Sequence, residues 1–287
     1  MNLSEHNHQK KIAVINDFSG FGRCSLAVSL PIISTMKLQC CPLPTSVFSN
    51  HTGFESFYFQ DFTEYMTPYI AEWKKLNLKF NGITSGFLGS KEQIEIVKEF
   101  IKEFRMKDTL VLIDPVMGDN GVPYATYTGE MCQEMKKLVA YADILTPNLT
   151  EACILTDTEY RPGGWKIVEI QELAQKLHDM GPKKVVITGI IQGEFIANYC
   201  YDADEYRIDD NYKGKVMRTH KIGATRSGTG DIFAAIVAAD AVNGVPFEKS
   251  VKKASDFIKK CIQKSIDLNI PLTDGVCFEE VLSQLHV

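Results

Sequence analysis

The chain has 287 residues, of which 45% are hydrophobic and 23% are charged, and its formal net charge is −5. These proportions are typical of a globular protein and exclude a disordered tail, a collagen-like rod and a disulfide-stabilised miniprotein. The small acidic excess argues against a nucleic-acid partner, because that affinity comes largely from neutralising phosphates. Since no linker-like segment interrupts the sequence, we expect a single domain over residues 1–287.

The eight cysteines are spread along the chain, and no two of them form a C-x-x-C pair. This spacing argues against a zinc ribbon and favours buried free thiols in a reducing compartment. The N-terminus carries no apolar signal core, and no run of about 18 apolar residues could span a membrane. We therefore expect a cytoplasmic protein without a membrane partner.

Short apolar strands alternate with amphipathic helices along most of the chain. We predict strands at residues 11–16, 38–47, 81–84, 109–113, 143–145 and 184–188, and helices at 24–33, 62–76, 91–104, 131–142, 149–155, 173–180, 230–242 and 247–267. Residues 194–221 alternate polar and apolar side chains, which indicates an antiparallel meander. Residues 48–60 are rich in aromatics and predict a loop or small substrate flap.

This order of elements predicts a parallel, doubly wound α/β sheet with helices on both faces and the meander at one edge. In such sheets, ligands bind beyond the carboxyl ends of the strands. Polar, turn-forming segments fall at those ends, at residues 16–22, 85–89, 114–121, 146–151 and 188–189. Their shared position predicts one binding site along one rim of the sheet.

The segment Ser227-Gly228-Thr229-Gly230-Asp231 leads directly into an almost wholly apolar helix. Its glycines allow the backbone to approach a ligand, and the unpaired amides of the first helical turn attract anions. Asp231 would lie beside a bound phosphate and could take the proton from an acceptor hydroxyl, an arrangement suited to phosphoryl transfer. The alternative is a glycine-rich turn in which Asp231 only complements the helix dipole.

Two nucleotide-binding motifs receive little or no support. No G-x-x-x-x-G-K-[ST] occurs, which excludes a Walker P-loop kinase, and the protein-kinase motifs are also missing. Gly20-x-Gly22-x-x-Ser25 resembles a weakened dinucleotide fingerprint. That fingerprint requires an acidic residue at the end of the second strand, where this chain has Pro42 to Thr45.

Three carboxylates, Asp114, Asp119 and Glu151, stand at predicted strand ends with Asn148 nearby. Such oxygen donors suit Mg²⁺ that bridges nucleotide phosphates. The alternatives are a tight turn at residues 119–121 and a helix cap at Asn148 that Glu151 completes.

Two further side chains have both a functional and a structural interpretation. His51 lies between Asn50 and Thr52, and three consecutive hydrogen-bonding side chains in an aromatic flap would suit a polar heterocycle. A lone histidine is nevertheless more often structural. Cys24 begins a helix whose dipole could lower the pKa of the thiol, but burial as a small core residue is favoured.

Taken together, these motifs resemble the ribokinase-like kinases and, within them, the pyridoxal kinases. The resemblance covers about residues 11 to 265 and is carried by segments 49–53 (SNHTG), 114–119 (DPVMGD), 146–151 (TPNLTE) and 228–231 (GTGD). It implies a ribokinase-like three-layer fold and ATP-dependent phosphorylation of the 5′-hydroxymethyl group of pyridoxal, pyridoxamine or pyridoxine. It also implies Mg²⁺, a monovalent cation such as K⁺ and a homodimer.

The resemblance further implies a role for individual residues. Asp231 would be the base that activates the hydroxyl, and Gly228, Thr229 and Gly230 would form the anion hole. Nucleotide contacts would come from Asp114, Asn148, Glu151, Thr188 and Ser227, and the metal would be held by Asp119 and Glu151, directly or through water. The vitamer would contact Asp17, Ser19, Asn50, His51, Thr52 and Phe87.

Two positions depart from the pyridoxal kinase pattern. Asn16 and Asp17 stand where a serine is usual, and residues 17–22 look more like the start of hydroxymethylpyrimidine kinases. Asp17 could pair with the amine of pyridoxamine. Phe87 stands where many pyridoxal kinases have tyrosine, so it can stack on a pyridine ring but offers no hydroxyl.

Three alternative functions therefore stay open. The first is a hydroxymethylpyrimidine (phosphate) kinase of thiamine synthesis, which the Asp17 loop favours but the His51-Thr52 loop and Asp231 argue against. The second is a non-catalytic pyridoxal phosphate binder, which would bind the vitamer without ATP turnover. A sugar kinase comes third, because the aromatic flap and residues 114–119 argue against it.

Overall fold

A computed structural model describes residues 8–204 and 214–285. The strands are β1 (Lys11–Ser19), β2 (Gln39–Phe48), β3 (Phe59–Asp61), β4 (Gly82–Ser85), β5 (Leu110–Ile113), β6 (Gly118–Asp119), β7 (Val122–Pro123), β8 (Ile144–Leu145), β9 (Lys184–Gln192), β10 (Phe195–Asp202) and β11 (Lys215–His220). The helices are α1 (Ser25–Thr35), α2 (Thr63–Lys75), α3 (Lys91–Phe104), α4 (Gly129–Val139), α5 (Leu149–Leu155), α6 (Ile167–Asp179), α7 (Thr229–Asn243) and α8 (Phe247–Asp267). Short 3₁₀ turns lie at Leu272–Asp274 and Leu282–Gln284.

Nine strands form one sheet in the order β11-β10-β9-β8-β5-β4-β1-β2-β3. The six strands from β9 to β2 in this order run parallel, and the antiparallel strands β10 and β11 extend one edge. This arrangement confirms the predicted α/β fold with an antiparallel edge. Strand β3 pairs antiparallel with β2 at the opposite edge. It was not predicted, because three residues are too few to show a strand period.

The alternation of side chains along β1 divides the core into two layers. Ile12 and Val14 pack with α1, α7 and α8 on one face. Ala13 and Ile15 pack with the helices of the other face. Because both faces are covered, the parallel strands read as continuous apolar runs rather than as alternating ones.

Helix α7 is buried without interruption from Ile232 to Asp240. It packs against α1, α8, β4 and β5, which explains why its sequence is apolar on every side. Its first turn therefore lies at the rim where β4 and β5 end. Within the described ranges, no helix is long and apolar enough to cross a membrane.

Several boundaries differ from the predicted ones. Strand β9 continues past Thr188 to Gln192, and α6 begins at Ile167 instead of Leu173. Residues 118–123 form the small β6–β7 hairpin, whose turn at Asn120 and Gly121 is the tight turn that was the structural alternative for this segment. Residues 205–213, which include the turn predicted at 209–211, lie outside the described residues.

Candidate active site

The carboxyl ends of β1, β4 and β5 meet the first turn of α7 in a cleft. Asn16, Gly86, Asp114 and Asp231 are among the residues that line it. Three of the segments predicted to share one rim, together with the Asp231 turn, are thus brought together. The structure therefore places these segments side by side at one rim, and their binding of a ligand stays a prediction.

Gly228 caps α7 with a positive φ of 86°. A Cβ at this position would lie 2.1 Å from the backbone oxygen of Arg23, so only glycine fits there. A Cβ at Gly230 would meet nothing within 4 Å. The hydroxyl of Thr229 donates to the backbone oxygen of Arg226. The backbone oxygen of Ser227 accepts from the amide of Val276. These contacts hold the turn in place, while the space next to Gly230 stays open.

Asp231 lies in this first turn, and its carboxylate accepts hydrogen bonds from neighbouring elements. Asn16 donates from Nδ2 to Oδ1 at 3.2 Å, and the backbone of Ser25 also favours the charged form of the carboxyl. Burial raises the pKa of Asp231, although these hydrogen bonds to the charged form oppose the shift. A carboxylate with a raised pKa is a better proton acceptor for a hydroxyl than an exposed one.

Asn16 belongs to the site although no role was predicted for it. Its Oδ1 accepts from the amide of Phe87 at 2.8 Å and from the amide of Asp17 at 3.0 Å. A Cβ at Gly86 would lie 2.6 Å from the Asn16 side chain, so β1 is in close contact with the segment that follows β4. Asn16 therefore connects the predicted base to the loop that carries Phe87. Its position at the end of a buried strand was the available signal.

Asp17 is 5% exposed, and both of its carboxylate oxygens have hydroxyl donors. Ser25 donates to Oδ1 at 2.5 Å, and Ser19 donates to Oδ2 at 3.0 Å. Burial raises the pKa of Asp17 to about 6, and the nearby charge of Asp231 adds to this shift. The predicted pairing of Asp17 with a substrate amine stays a prediction, since this carboxylate already has two partners within the protein.

Cys24 lies beside these carboxylates and is buried. Burial raises the pKa of its thiol to about 12, with the charges of Asp231 and Asp17 acting in the same direction. The thiolate is thus disfavoured despite the position at a helix start. This agrees with the interpretation of Cys24 as a small core residue.

Asp114 and Glu151 form the acidic part of the rim. Asp114 accepts from the hydroxyl of Thr146 at 3.1 Å, and burial followed by the charge of Asp231 raises the pKa of Asp114 to about 8. Burial and then the charge of Asp114 raise the pKa of Glu151 well above its ordinary value. Each of these carboxylates disfavours the charged form of the other. A cation bound beside them would stabilise both charged forms.

The Asn148–Glu151 pair forms the capping box that was one of its two interpretations. Asn148 Oδ1 accepts from the amide of Glu151, and Glu151 Oε2 accepts from the amide of Asn148. Oε1 of Glu151 accepts from the amide of Met117, and Asn148 Nδ2 donates to the oxygen of Gly118. The pair thereby fixes the start of α5 against the β6–β7 hairpin, which presents the exposed Asp119.

A second cleft lies beside this pair, and Asp119, Asn148 and Thr188 are among its lining residues. Thr188 is fixed because its amide donates to the backbone oxygen of Pro147 at 2.9 Å. Tyr160 and Trp165, which were not predicted, form part of the wall. The Trp165 ring lies 4.2 Å from the guanidinium of Arg161. The predicted contact of Asn148 and Thr188 with a nucleotide stays a prediction.

His51 directs both ring nitrogens to backbone atoms. Nε2 donates to the oxygen of Thr273 at 2.7 Å, and Nδ1 accepts from the amide of Gly53 at 3.0 Å. Asn50 donates to the oxygen of Ser56 at 2.8 Å, whereas Thr52 is exposed. His51 thus joins the flap to the C-terminal segment. A contact of Asn50, His51 or Thr52 with a substrate stays a prediction.

An aromatic cluster joins the flap to the loop that carries Phe87. The ring of Phe48 is 4.8 Å from Phe59, 5.8 Å from Phe57 and 6.3 Å from Phe87, measured between centroids. Phe57 and Phe59 are each 45% exposed. The hydroxyl of Thr45 donates to the backbone oxygen of Phe87 and fixes that loop. Such a cluster can receive a planar heterocycle by stacking.

The sequence profile of the phosphomethylpyrimidine kinase family matches residues 63–273. A hydroxymethylpyrimidine/phosphomethylpyrimidine kinase of Aquifex aeolicus is 27% identical over 88% of this chain and 89% of its own length. A pyridoxal kinase of Arabidopsis thaliana is 28% identical over 79% of this chain and 72% of its own.

Solved structures extend the comparison to the fold. A protein of Bacteroides thetaiotaomicron, assigned as a phosphomethylpyrimidine kinase and crystallised with pyridoxal, is 38% identical and superposes with a TM-score of 0.90 over 96% of each chain. A pyridoxal kinase of Leishmania donovani in complex with ADP and pyridoxamine shares the fold, with 21% identity, a TM-score of 0.86 and 96% coverage of both chains. The chain therefore belongs to the phosphomethylpyrimidine kinase family and is a kinase of the pyridoxal kinase-like branch of the ribokinase superfamily.

Proposed function

We propose that this kinase transfers the γ-phosphoryl group of ATP to the 5′-hydroxymethyl group of pyridoxal, pyridoxamine or pyridoxine. The observation that carries the proposal is the pair of bonds made by Asn16, which donates to Asp231 and accepts from the amide of Phe87. A pyridine ring on the aromatic cluster would thus have its hydroxymethyl group beside the base. The pyridoxal bound to the Bacteroides relative, 38% identical, supports a B6 vitamer.

In the proposed reaction, the hydroxyl oxygen of the acceptor attacks the γ-phosphorus of ATP and ADP leaves. Asp231 takes the proton of that hydroxyl. The raised pKa of Asp231 favours this acceptance. The amides at Gly228, Thr229 and Gly230 would stabilise the charge that develops on the transferred group. Because the chemistry requires alignment and charge neutralisation, the rigid turn at Gly228 contributes by positioning.

ATP would extend along Asp114, Asn148, Glu151 and Thr188 into the second cleft. Mg²⁺ would neutralise its phosphates between Asp119 and Glu151. In the described part of the chain, no three acidic, histidine or cysteine side chains are grouped closely enough to hold a metal ion. The metal would therefore be held largely by phosphate oxygens and water, as is usual for Mg²⁺ in kinases. A monovalent cation such as K⁺ is a further expectation.

A hydroxymethylpyrimidine (phosphate) kinase is the second candidate. The relative from Aquifex aeolicus, aligned over most of both chains, favours it. The loop that contains Asp17 favours it as well. Asp231 and the loop that contains His51 and Thr52 argue against it, so the acceptor preference has to be measured.

The test is ATP consumption with pyridoxal, pyridoxamine, pyridoxine and hydroxymethylpyrimidine, each with Mg²⁺ and with or without K⁺. We expect turnover of the B6 vitamers, and we expect Asp231→Ala to lower kcat by about 10²–10⁴ with little change in ATP affinity. Asp256→Ala, which removes an exposed carboxylate on α8, serves as the control. Turnover of the pyrimidine alone would assign the second candidate, and vitamer binding without turnover would assign a carrier.

We further propose that residues 1–287 form one domain in which segment 48–60 covers the acceptor, and that two copies form a homodimer. Light scattering coupled to gel filtration measures the mass in solution. A monomeric mass at micromolar concentration would contradict the dimer without affecting the proposed reaction.

A further inference from the structure

We infer that Asp17 is a positioning residue, which holds Ser25 in the left-handed conformation and thereby fixes the backbone beside Asp231. This inference rests on the proposed role of Asp231 as the base. It gives Asp17 a function through another residue, in place of direct contact with the acceptor.

The direction of the Asp17 side chain follows from an irregularity in β1. The register between β1 and β2 shifts between Asn16 and Phe18. In a regular strand, Asn16 and Asp17 would point to opposite faces of the sheet. Here Asn16 bonds to Asp231 on α7, and Asp17 bonds to Ser25 on α1, and both helices cover the same face. Such irregularities commonly redirect a side chain beside an active site.

Ser25 has a φ of +57°, which is unfavourable for a residue with a side chain. Its hydroxyl donates to Asp17 at 2.5 Å, and its backbone favours the charged form of Asp231, which lowers the pKa of that carboxyl against the effect of burial. One residue thus connects both carboxylates, through its side chain on one side and its backbone on the other. Loss of the Asp17 acceptor would remove the bond that opposes relaxation of this backbone.

Contacts of residues 22 and 23 hold the backbone that precedes Ser25 in place. Gly22 and Arg23 also have positive φ values, 107° and 50°. The Arg23 guanidinium donates to Glu279 and to the oxygen of Asp274. The Arg23 oxygen lies so close to Gly228 that no Cβ would fit between them. Strain that is fixed from several directions is typical of an active site, where it serves to orient a group.

The rival role, in which Asp17 binds the amine of a substrate, predicts a different set of kinetic changes. An amine ligand would change KM for pyridoxamine and leave pyridoxal unaffected. A positioning residue would change kcat for every acceptor with little change in KM. The structure favours positioning, because the Asp17 carboxylate is 5% exposed and has two hydroxyl donors.

The experiment compares Asp17→Ala, Asp17→Asn and the double variant Asp17→Ala/Ser25→Gly on pyridoxal and pyridoxamine. We expect Asp17→Ala to lower kcat about ten- to hundredfold for both acceptors, with KM changed less than about threefold. Asp17→Asn keeps an oxygen acceptor for Ser25 and should stay within about threefold of the parent. Glycine at position 25 adopts a positive φ without steric cost, so the double variant should recover part of the lost kcat.

A rise in KM for pyridoxamine alone, or a double variant that is slower than Asp17→Ala, would overturn the inference. Crystal structures of Asp17→Ala and Asp17→Asn provide a readout that does not depend on turnover. We expect Ser25 to leave the left-handed region in the alanine variant and to keep it in the asparagine variant. An unchanged Ser25 in Asp17→Ala would refute the positioning role. Absence of turnover in the parent enzyme would refute the proposed function instead.

Discussion

The Nδ2 atom of Asn16 lies 3.2 Å from Oδ1 of Asp231, although 215 positions separate the two residues in the chain. One stands at the end of the first strand and the other in the first turn of a late helix. The bond holds the carboxylate from the sheet side, and the backbone of Ser25 also favours its charged form. Orientation of the base thus depends on a residue that lies far from it in the sequence.

Asn16→Ala is expected to lower kcat about ten- to hundredfold, because a hydrogen bond to a charged group contributes about 1.5–3 kcal/mol. The lost bond favours the charged form of Asp231, so its removal raises the pKa of that carboxyl. The acid limb of the kcat–pH profile should therefore move to higher pH. Steady-state kinetics across pH measure both effects.

Asn81→Ala is the matched control for this substitution. Asn81 accepts from the amide of Lys11 at the opposite, amino end of the sheet. We expect it to lower the melting temperature without moving the pH profile. An equal shift of the profile in both variants would show that general destabilisation, and not the bond to Asp231, is responsible.

Gly228→Ala and Gly230→Ala are expected to act in opposite ways on stability. Gly228 needs its positive φ, and a Cβ there would meet the oxygen of Arg23 at 2.1 Å, so the first variant should be strongly destabilised. Gly230 lies within α7 with open space around a Cβ, and alanine stabilises a helix by about 0.5–1 kcal/mol relative to glycine.

The Gly230→Ala variant also tests whether Gly230 belongs to the anion hole. If the open space at Gly230 receives a phosphate, Gly230→Ala should lower kcat/KM for ATP about tenfold or more while its melting temperature is kept or raised. Thermal unfolding and ATP titration of the same preparation measure both quantities. A fully active Gly230→Ala enzyme would remove Gly230 from the anion hole.

Asp17 is expected to make stability depend on pH. Its pKa rises from 3.8 to about 6 on folding, so the folded chain binds this proton more tightly than the unfolded chain. The contribution is complete below pH 3.8 and is lost as pH rises through about 6. Between pH 4 and pH 7, the parent should lose about 2 kcal/mol of stability relative to Asp17→Asn. Denaturant unfolding at both pH values measures this difference, and Asp256→Asn should follow the parent.

The sequence was sufficient for elements whose signal is local. The apolar strands and the helix that begins at the Gly228 turn depend on nearby residues, so their order and the shared rim could be predicted. The short strand β3 and the start of α6 at Ile167 carry too few periodic positions for that.

The roles of Asn16 and Ser25 could not be predicted for a different reason. Each depends on a contact between distant segments, and Asp17 faces the same side as Asn16 only because the β1 register shifts. A regular alternation would have assigned Asp17 to the opposite face. His51 was predicted to contact substrate from its neighbours in sequence, but its bond to Thr273 joins segments that are 222 positions apart.

The His51–Thr273 bond leads to a last prediction about the flap. His51→Ala removes the donor to the Thr273 oxygen and the acceptor for the Gly53 amide, so residues 49–58 should open more often. Chymotrypsin, which cleaves after aromatic residues, should cut at Phe54, Phe57 or Tyr58 several times faster than in the parent. Thr52→Ala, which removes an exposed hydroxyl from the same loop, should leave cleavage unchanged. If instead His51→Ala raised KM for the vitamer without faster cleavage, the ring would be a substrate contact and its backbone bonds would be secondary.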